Sequence, residues 1–393
     1  MRAYVWMSCG MYFMNGLATA MLGTVLAPFL AHYHVSYALG GVFVLLQFAG
    51  YLLGVPASTI VVQRYGHRIA ILLAGLCIGI AETTIGCLPL LPVALFMSCL
   101  NGVGLAMTQT TIASSMIEWF EGRRAVIMSR LEVAFGLGCL IIPLCESRLL
   151  AVHIWQVGFW IVGIFALLIS LAWPFVSINP ESNANEGPMD AYTRAPKVTS
   201  TQSKVVFMAL FLFMILLYVG LESCFNNFLP AIFMSYLGQR ADVASLTVTA
   251  FWTSMVVGRT LTGWAIRKVN YSQFLLSSIG ATLLFVMVMA SWRSISLFYV
   301  ISCFIGLSMS GIYVVTLVYA NHTFPGQGSR VTRWVTVFAG VGGAALPGIF
   351  GYCMDQLSVD QNLWLLAGFT FLLLATLSVI VYLGSAWTHK VSS

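Results

Sequence analysis

The chain has 393 residues, 60% of them hydrophobic and 8% charged, with a mean hydropathy of +0.92. Soluble domains average about 45–50% apolar residues, and the 18 basic and 12 acidic side chains here cannot clothe the surface of a soluble fold of this length. A soluble globular protein is excluded, and lipid is left as the solvent.

A hydrocarbon core of about 30 Å needs roughly 20 mostly apolar residues per helical crossing. Dividing the chain at its polar breaks predicts twelve spans, near 5–31, 37–62, 69–90, 93–117, 126–146, 155–178, 205–236, 244–266, 272–291, 295–320, 332–352 and 362–386. The first is too long for the apolar region of a signal peptide and has no small-residue cleavage site, so it is expected to stay attached. The breaks are short except for 179–204, a polar stretch with three prolines. The expected organisation is an N-terminal six-helix bundle (1–178), a linker (179–204) and a C-terminal six-helix bundle (205–393).

Lys and Arg collect on the cytoplasmic side of membrane proteins. Fourteen fall on one side of the predicted spans, three (Arg148, Arg240 and Arg293) on the other, and Arg259 lies inside a span. Both termini and the linker are therefore expected in the cytoplasm, and the net charge of +6 needs no nucleic acid to explain it. The nine cysteines form no CxxC pair, so neither zinc nor a disulfide framework is expected, and they are read as small core residues.

The two halves carry an internal repeat. A shift of 204 residues places Gly54 on Gly258, Gly102 on Gly306, Gly136 on Gly340, Gly138 on Gly342 and Pro143 on Pro347; Pro28 and Pro230 match at 202. Both halves start on the same side, so the repeat is parallel, with a central cavity between two bundles. Close helix packing through small residues is an alternative and compatible reading of the glycines.

Between spans two and three, GVPASTIVVQRYGHR resembles the GxxxDRxGRR loop of the major facilitator superfamily, with Arg64, Gly66 and Arg68 in place but Gln63 at the acidic position and Thr59 at the leading glycine. The second half repeats it as GRTLTGWAIRK, with Gly258, Arg259, Gly263, Arg267 and Lys268. The stretches SRLEVAFGLGCLIIP, YVGLESCFNNFLPAIF and FWTSMVVGRTLTGW are similar to those of the fucose:proton symporter-like group, including bacterial glucose/mannose permeases. The resemblance implies an all-α membrane fold, gating by these loops, and import of a neutral monosaccharide with protons across the bacterial cytoplasmic membrane by a monomer without cofactor or metal.

An acid inside a span costs about 2.5–3.5 kcal/mol at its centre on insertion scales, so it should face a cavity, a partner or protons. Three candidates are Glu82, Glu132 and Glu222. Glu222 shares a helix face with Tyr218 and Asn226 at i, i+4, i+8 spacing, beside Asn227. That face offers both donors and acceptors to sugar hydroxyls. Glu132 stands nearer the cytoplasmic end, where proton transfer and an ion pair with Arg123, Arg124 or Arg130 are both open. Glu82 is expected to use the hydroxyls of Thr83 and Thr84. Arg259 is expected to snorkel or to bridge helices.

The resembled permeases place a glutamate in an LETT stretch of span four. Here TQTT puts Gln109 there, which can bind hydroxyls but not carry a proton. Coupling then uses Glu222 or Glu132, or is absent. Asn15, Gln47, Gln109, Thr110, Trp252 and Tyr313 complete the expected substrate wall. GVGGAALPG, residues 340–348, imitates a dinucleotide fingerprint but sits in an apolar span, and no phosphate loop or hydrolase motif is present, so an enzyme is not expected. A proton-driven exporter of hydrophobic compounds and a sensor that binds without transport remain alternative readings.

Overall fold

The computed structural model describes residues 2–119, 124–175, 201–266, 268–324 and 327–391. They form thirteen α-helices and one 3-10 turn, with no strand among the described residues. In chain order these are α1 (Arg2–Thr24), α2 (Leu26–Tyr33), α3 (Tyr37–Gly86), α4 (Leu91–Trp119), α5 (Arg124–Ala151), α6 (Gln156–Ala172), α7 (Thr201–Leu237), α8 (Ala241–Ala265), α9 (Tyr271–Ser291), α10 (Ile295–Met309), α11 (Ile312–Thr323), α12 (Gly328–Gln356) and α13 (Val359–Val391).

Thirteen helices make twelve crossings, for local reasons. Pro28 has no N–H to donate to the Thr24 carbonyl and its ring crowds that carbonyl; α1 and α2 therefore meet at 57° as one bent span. The 50-residue α3 is two crossings joined at Gly66, whose φ of 82° is a left-handed value that glycine adopts without a Cβ clash. The predicted loop motif thus marks a sharp reversal. The α10 and α11 helices form one crossing interrupted at Ser310–Gly311, and the 17-residue α6 is continued by the 3-10 turn Trp173–Phe175. Of the predicted linker, residues 201–204 already belong to α7, while 179–200 lie outside the described residues.

The repeat seen in sequence is a repeat of packing. Within the first half α1 packs on α5, and α3 on α4 and α6; within the second, α7 packs on α12, α8 on α10, and α9 on α13. A Cβ at Gly102 would overlap the Gln47 carbonyl, and one at Gly306 would overlap the Phe251 carbonyl, 204 residues on from Gln47. Gly138 faces the Phe13 carbonyl, and Gly342 the Leu216 carbonyl, in the same sense. Close backbone approach, the packing reading of these glycines, holds at these positions.

The halves meet along two related seams, α5 against α8 and α12 against α3. At the end of the molecule away from the start of α1, here the distal end, the seams are closed by hydrogen bonds. Ser245 Oγ donates to the Pro143 carbonyl (3.4 Å), and Thr249 Oγ1 to the Leu140 carbonyl (3.2 Å). Ser36, the N-cap residue of α3, makes no side-chain cap; instead the Tyr37 and Ala38 amides donate to the two carboxylate oxygens of Asp355 on α12, at 2.9 and 2.7 Å. Loss of a helix cap costs about 0.5–2 kcal/mol. Asp355→Ala is expected to loosen the distal end by a cost of this size, read as a several-fold faster labelling of a cysteine introduced at Ser36, with little change in thermal stability.

Not every cysteine is a core residue. All nine are free, and Cys87 and Cys145 are exposed. Cys87 closes the last turn of α3, and the preference for burial gives way there to position at a helix end.

Candidate functional site

Helix α8 sets the centre of the site. Trp252 and Arg259 are seven residues apart, two helical turns, and so share one face; the Arg259 guanidinium carbon lies 5.5 Å from the Trp252 ring centroid. Arg259 reaches two acids of different halves: Nη1 donates to Glu132 Oε2 on α5 (2.9 Å) and Nη2 to Glu222 Oε1 on α7 (3.5 Å). Side-chain exposure is 22% for Arg259, 48% for Glu132 and 18% for Glu222, so the half-open Glu132 pair is the more easily screened by water. This bridge gives Glu132 a partner outside the three basic residues named for it. Among the described residues Arg130 is not bonded to it, Arg123 and the Arg124 side chain lie outside them, and the bridging option for Arg259 is the one observed.

Several substrate-wall candidates converge on this centre. Gln109 on α4 accepts the Tyr51 hydroxyl at Oε1 (2.7 Å), and its carbonyl accepts Tyr12 (3.2 Å). Tyr313 faces Tyr218, ring centroids 6.5 Å apart, and the Tyr218 hydroxyl donates to the Met309 carbonyl (3.0 Å). Trp252 stacks edge-on with Phe135 at 5.7 Å. Tyr51, Gln109, Glu132, Glu222, Arg259 and Tyr313 are all short of full burial.

Other candidates are committed elsewhere in this conformation. Asn226 is buried between the halves, its Nδ2 donating to the Thr19 carbonyl of α1 (3.2 Å) and its Oδ1 accepting Trp252 Nε1 (2.8 Å). Asn227 turns back onto Ser223 (2.9 Å). Asn15 is buried and donates to the Leu105 carbonyl (3.1 Å); Gln47 is buried in the α3–α4 contact; Thr110 bonds Ser58 Oγ (2.7 Å). Among the expected gating residues, Arg64 lies 5.5 Å from the Tyr65 ring centroid, Arg68 is exposed, and Lys268 sits 4.1 Å from the Trp264 ring centroid. Gly258 and Gly263 fall inside α8 rather than in a loop, Gly258 pressed against Ser310 and Leu307 and Gly263 with open space beside it. Arg267 lies outside the described residues.

Sequence reading missed Tyr12 and Tyr51. Both were within reach of it, since Tyr51 is four residues after Gln47 and Tyr12 three before Asn15, helical neighbours of residues already chosen. Glu82 also corrects an expectation: Asn101 Nδ2 of α4 donates to it (2.6 Å), whereas Thr83 bonds back to the Gly79 carbonyl (2.6 Å). A buried acid outranks a helix hydroxyl already satisfied by its own backbone. Among the described residues no cluster of His, Cys, Asp or Glu is arranged to hold a metal ion.

The arrangement offers a cation shared by two acids, ringed by tyrosines and an amide. A net hydrogen bond contributes about 0.5–1.5 kcal/mol. Tyr51→Phe, which frees Gln109 Oε1, is expected to weaken solute affinity about two- to tenfold while leaving the folded yield unchanged, as equilibrium binding would read.

A sequence model described as Major Facilitator Superfamily matches residues 8–223 and again 211–390, one match for each half of the repeat. The chain is 29% identical to the glucose/mannose transporter of Bacillus subtilis (strain 168) over 325 residues, 80% of this chain and 79% of that one. In fold it is similar to the D-xylose-proton symporter (TM-score 0.75, 13% identity, 95% of this chain and 96% of that). It is likewise similar to a nucleoside transporter (TM-score 0.74, 12% identity, 95% and 99%).

Proposed function

Because the chain belongs to the Major Facilitator Superfamily, we propose that it is a secondary carrier, not an enzyme, that moves a neutral monosaccharide together with protons by alternating access. The observation that carries the coupling is the sharing of Arg259 between Glu132 of one half and Glu222 of the other. A proton on Glu222 removes one of the two charges that hold the guanidinium. Arg259 then leans wholly on Glu132, and the link between the halves changes strength with the proton load. The likeness to a glucose/mannose transporter, along with Gln109, Tyr51 and Tyr313 beside the acids, supports a hexose as the solute.

The imbalance of Lys and Arg supports an orientation with both termini in the cytoplasm of a bacterial cell and the distal end outside. On that orientation the closed distal seams and the half-open polar centre describe a carrier facing inward. The unit of transport is taken to be the monomer, since each chain holds both halves of the site.

Counterflow in proteoliposomes tests the solute. Vesicles loaded with unlabelled glucose should draw in labelled glucose without any ion gradient, and unlabelled mannose should compete. If ethidium moves and glucose does not, the reading as a sugar carrier fails.

A further inference from the structure

A fourth membrane acid, absent from the three chosen in the sequence, lies outside the central site. Glu146 of α5 is 0% exposed, and neither carboxyl oxygen has a hydrogen-bond partner among the described residues. Its Oε1 occupies the space where a Cβ on Gly158 of α6 would be, next to the Met21 methyl of α1. Glycine at 158 makes the notch that admits the carboxyl. An ionised carboxylate without a partner in such a place costs so much that the group holds its proton instead.

Among the described residues, the elements packed against α5 bring no cation to Glu146. Helix α6 contains no titratable side chain, and the titratable residues of α1 (Arg2, Tyr4, Cys9 and Tyr12) belong to its first half, away from Met21. On α4 they are Cys99 and Glu118. On α8 Asp242 pairs with Arg240 at 3.1 Å, and Arg259 with the acids of the central site. On α5 itself Cys145 and Arg148 are neighbours in sequence, but neither bonds Glu146.

Its position ties it to the distal seam. Three residues before it, the Pro143 carbonyl accepts Ser245 of the opposite half. Pro143 also deletes the α5 backbone bond to the Cys139 carbonyl, so the helix ladder is weakest between that seam and the central site. Were the distal seam to open, the α5 segment that carries Glu146 would lose its Pro143 anchor, which would give water a path to the carboxyl.

We propose that Glu146 is a second proton-binding site of the carrier, protonated while the distal end is closed and ionised when it opens. The step is a simple exchange, carboxylic acid to carboxylate with the proton passing to distal water and returning on closure. The sign follows: acid pH favours the closed distal end, and rising pH opposes it. The proposal rests on the alternating-access reading but not on the identity of the solute.

The test is a distance measurement without sugar. Spin labels carried by an incorporated ketone amino acid replace Leu90 and Trp292, exposed at the distal end of either half, and the distance is followed from about pH 5.5 to about pH 8.5. The parent should show the short distance in acid and a growing long component in base. Glu146→Gln, a mimic of the protonated acid, should keep the short distance throughout. Gly158→Ala, which crowds the carboxyl out of its notch, should move the transition to lower pH, and it serves as the deciding variant should Glu146→Gln fail to fold. Glu222→Gln, which alters the Arg259 bridge, is expected to shift the balance of the two distances but to keep a pH-dependent transition that Glu146→Gln lacks, which separates this site from the central one. A parent with no pH response, or a transition unchanged in both Glu146→Gln and Gly158→Ala, would overturn the proposal.

Discussion

Replacing Arg259 by alanine is expected to abolish proton-driven accumulation of hexose while the protein still reaches the membrane. The guanidinium is the only charged group bonded to both Glu132 and Glu222 among the described residues. Truncating one member of a buried charge pair costs about 2–5 kcal/mol. Since Glu132 is half exposed, the low end of that range applies to its share, which still corresponds to more than about tenfold in an equilibrium. Arg259→Lys is expected to be intermediate, because a single ammonium cannot present two donors in fixed directions to two carboxylates. Uptake in proteoliposomes, normalised to reconstituted protein, checks both. Accumulation by Arg259→Ala equal to that of the parent would remove the charge bridge from the mechanism.

Gly102→Leu is expected to prevent folding. Its α-carbon faces the backbone carbonyl of Gln47, which belongs to α3 and cannot rotate aside as a side chain could. Overpacking typically costs about 1–3 kcal/mol even against adaptable neighbours, so a wedge between two backbones should exceed that. Gly306→Leu should fail in the same way against Phe251, because the second half repeats the contact. Gly280→Leu is the matched control, with nothing within 4 Å of its added Cβ. The yield of monodisperse protein after detergent extraction should fall sharply for the first two and hold for the third.

These glycines also show what kind of information the sequence carries. Spans were legible because a bilayer demands about 20 apolar residues in each, and the pairing of Gly102 with Gly306 was legible because duplication preserved an offset. Gly66 was readable as a loop residue and proved to be the reversal within a 50-residue helix. The span predicted over 5–31 already joined α1 to most of α2, and the structure adds the 57° bend between them, which follows from Pro28.

The site was legible in its members more than in its bonds. Glu132, Glu222, Arg259, Trp252, Gln109 and Tyr313 stood out as polar or aromatic groups in apolar spans. Their wiring did not, because Arg259 meets acids 127 and 37 residues away, and helical periodicity says nothing about which helices become neighbours. Glu82 shows the same limit: its partner, Asn101, is on the next helix rather than the next turn. Asn226 looked like a free sugar ligand from its i+4 spacing, yet in this conformation it links Trp252 to α1. Glu146 was hidden by position, since an acid near the end of a predicted span reads as a solvated cap. Only the notch at Gly158 reveals that it is buried.

The central claim is that one proton, carried by Glu222, changes the hold of Arg259 across the two halves and so drives sugar uphill. Labelled-glucose uptake into proteoliposomes, with and without an imposed inward proton gradient, measures this directly when the parent is compared with Glu222→Gln. The gradient should drive accumulation above equilibrium in the parent, while the variant, fixed in the neutral form, should exchange glucose but accumulate none. Gradient-driven accumulation that survives in Glu222→Gln, or a parent indifferent to the gradient, would contradict the account.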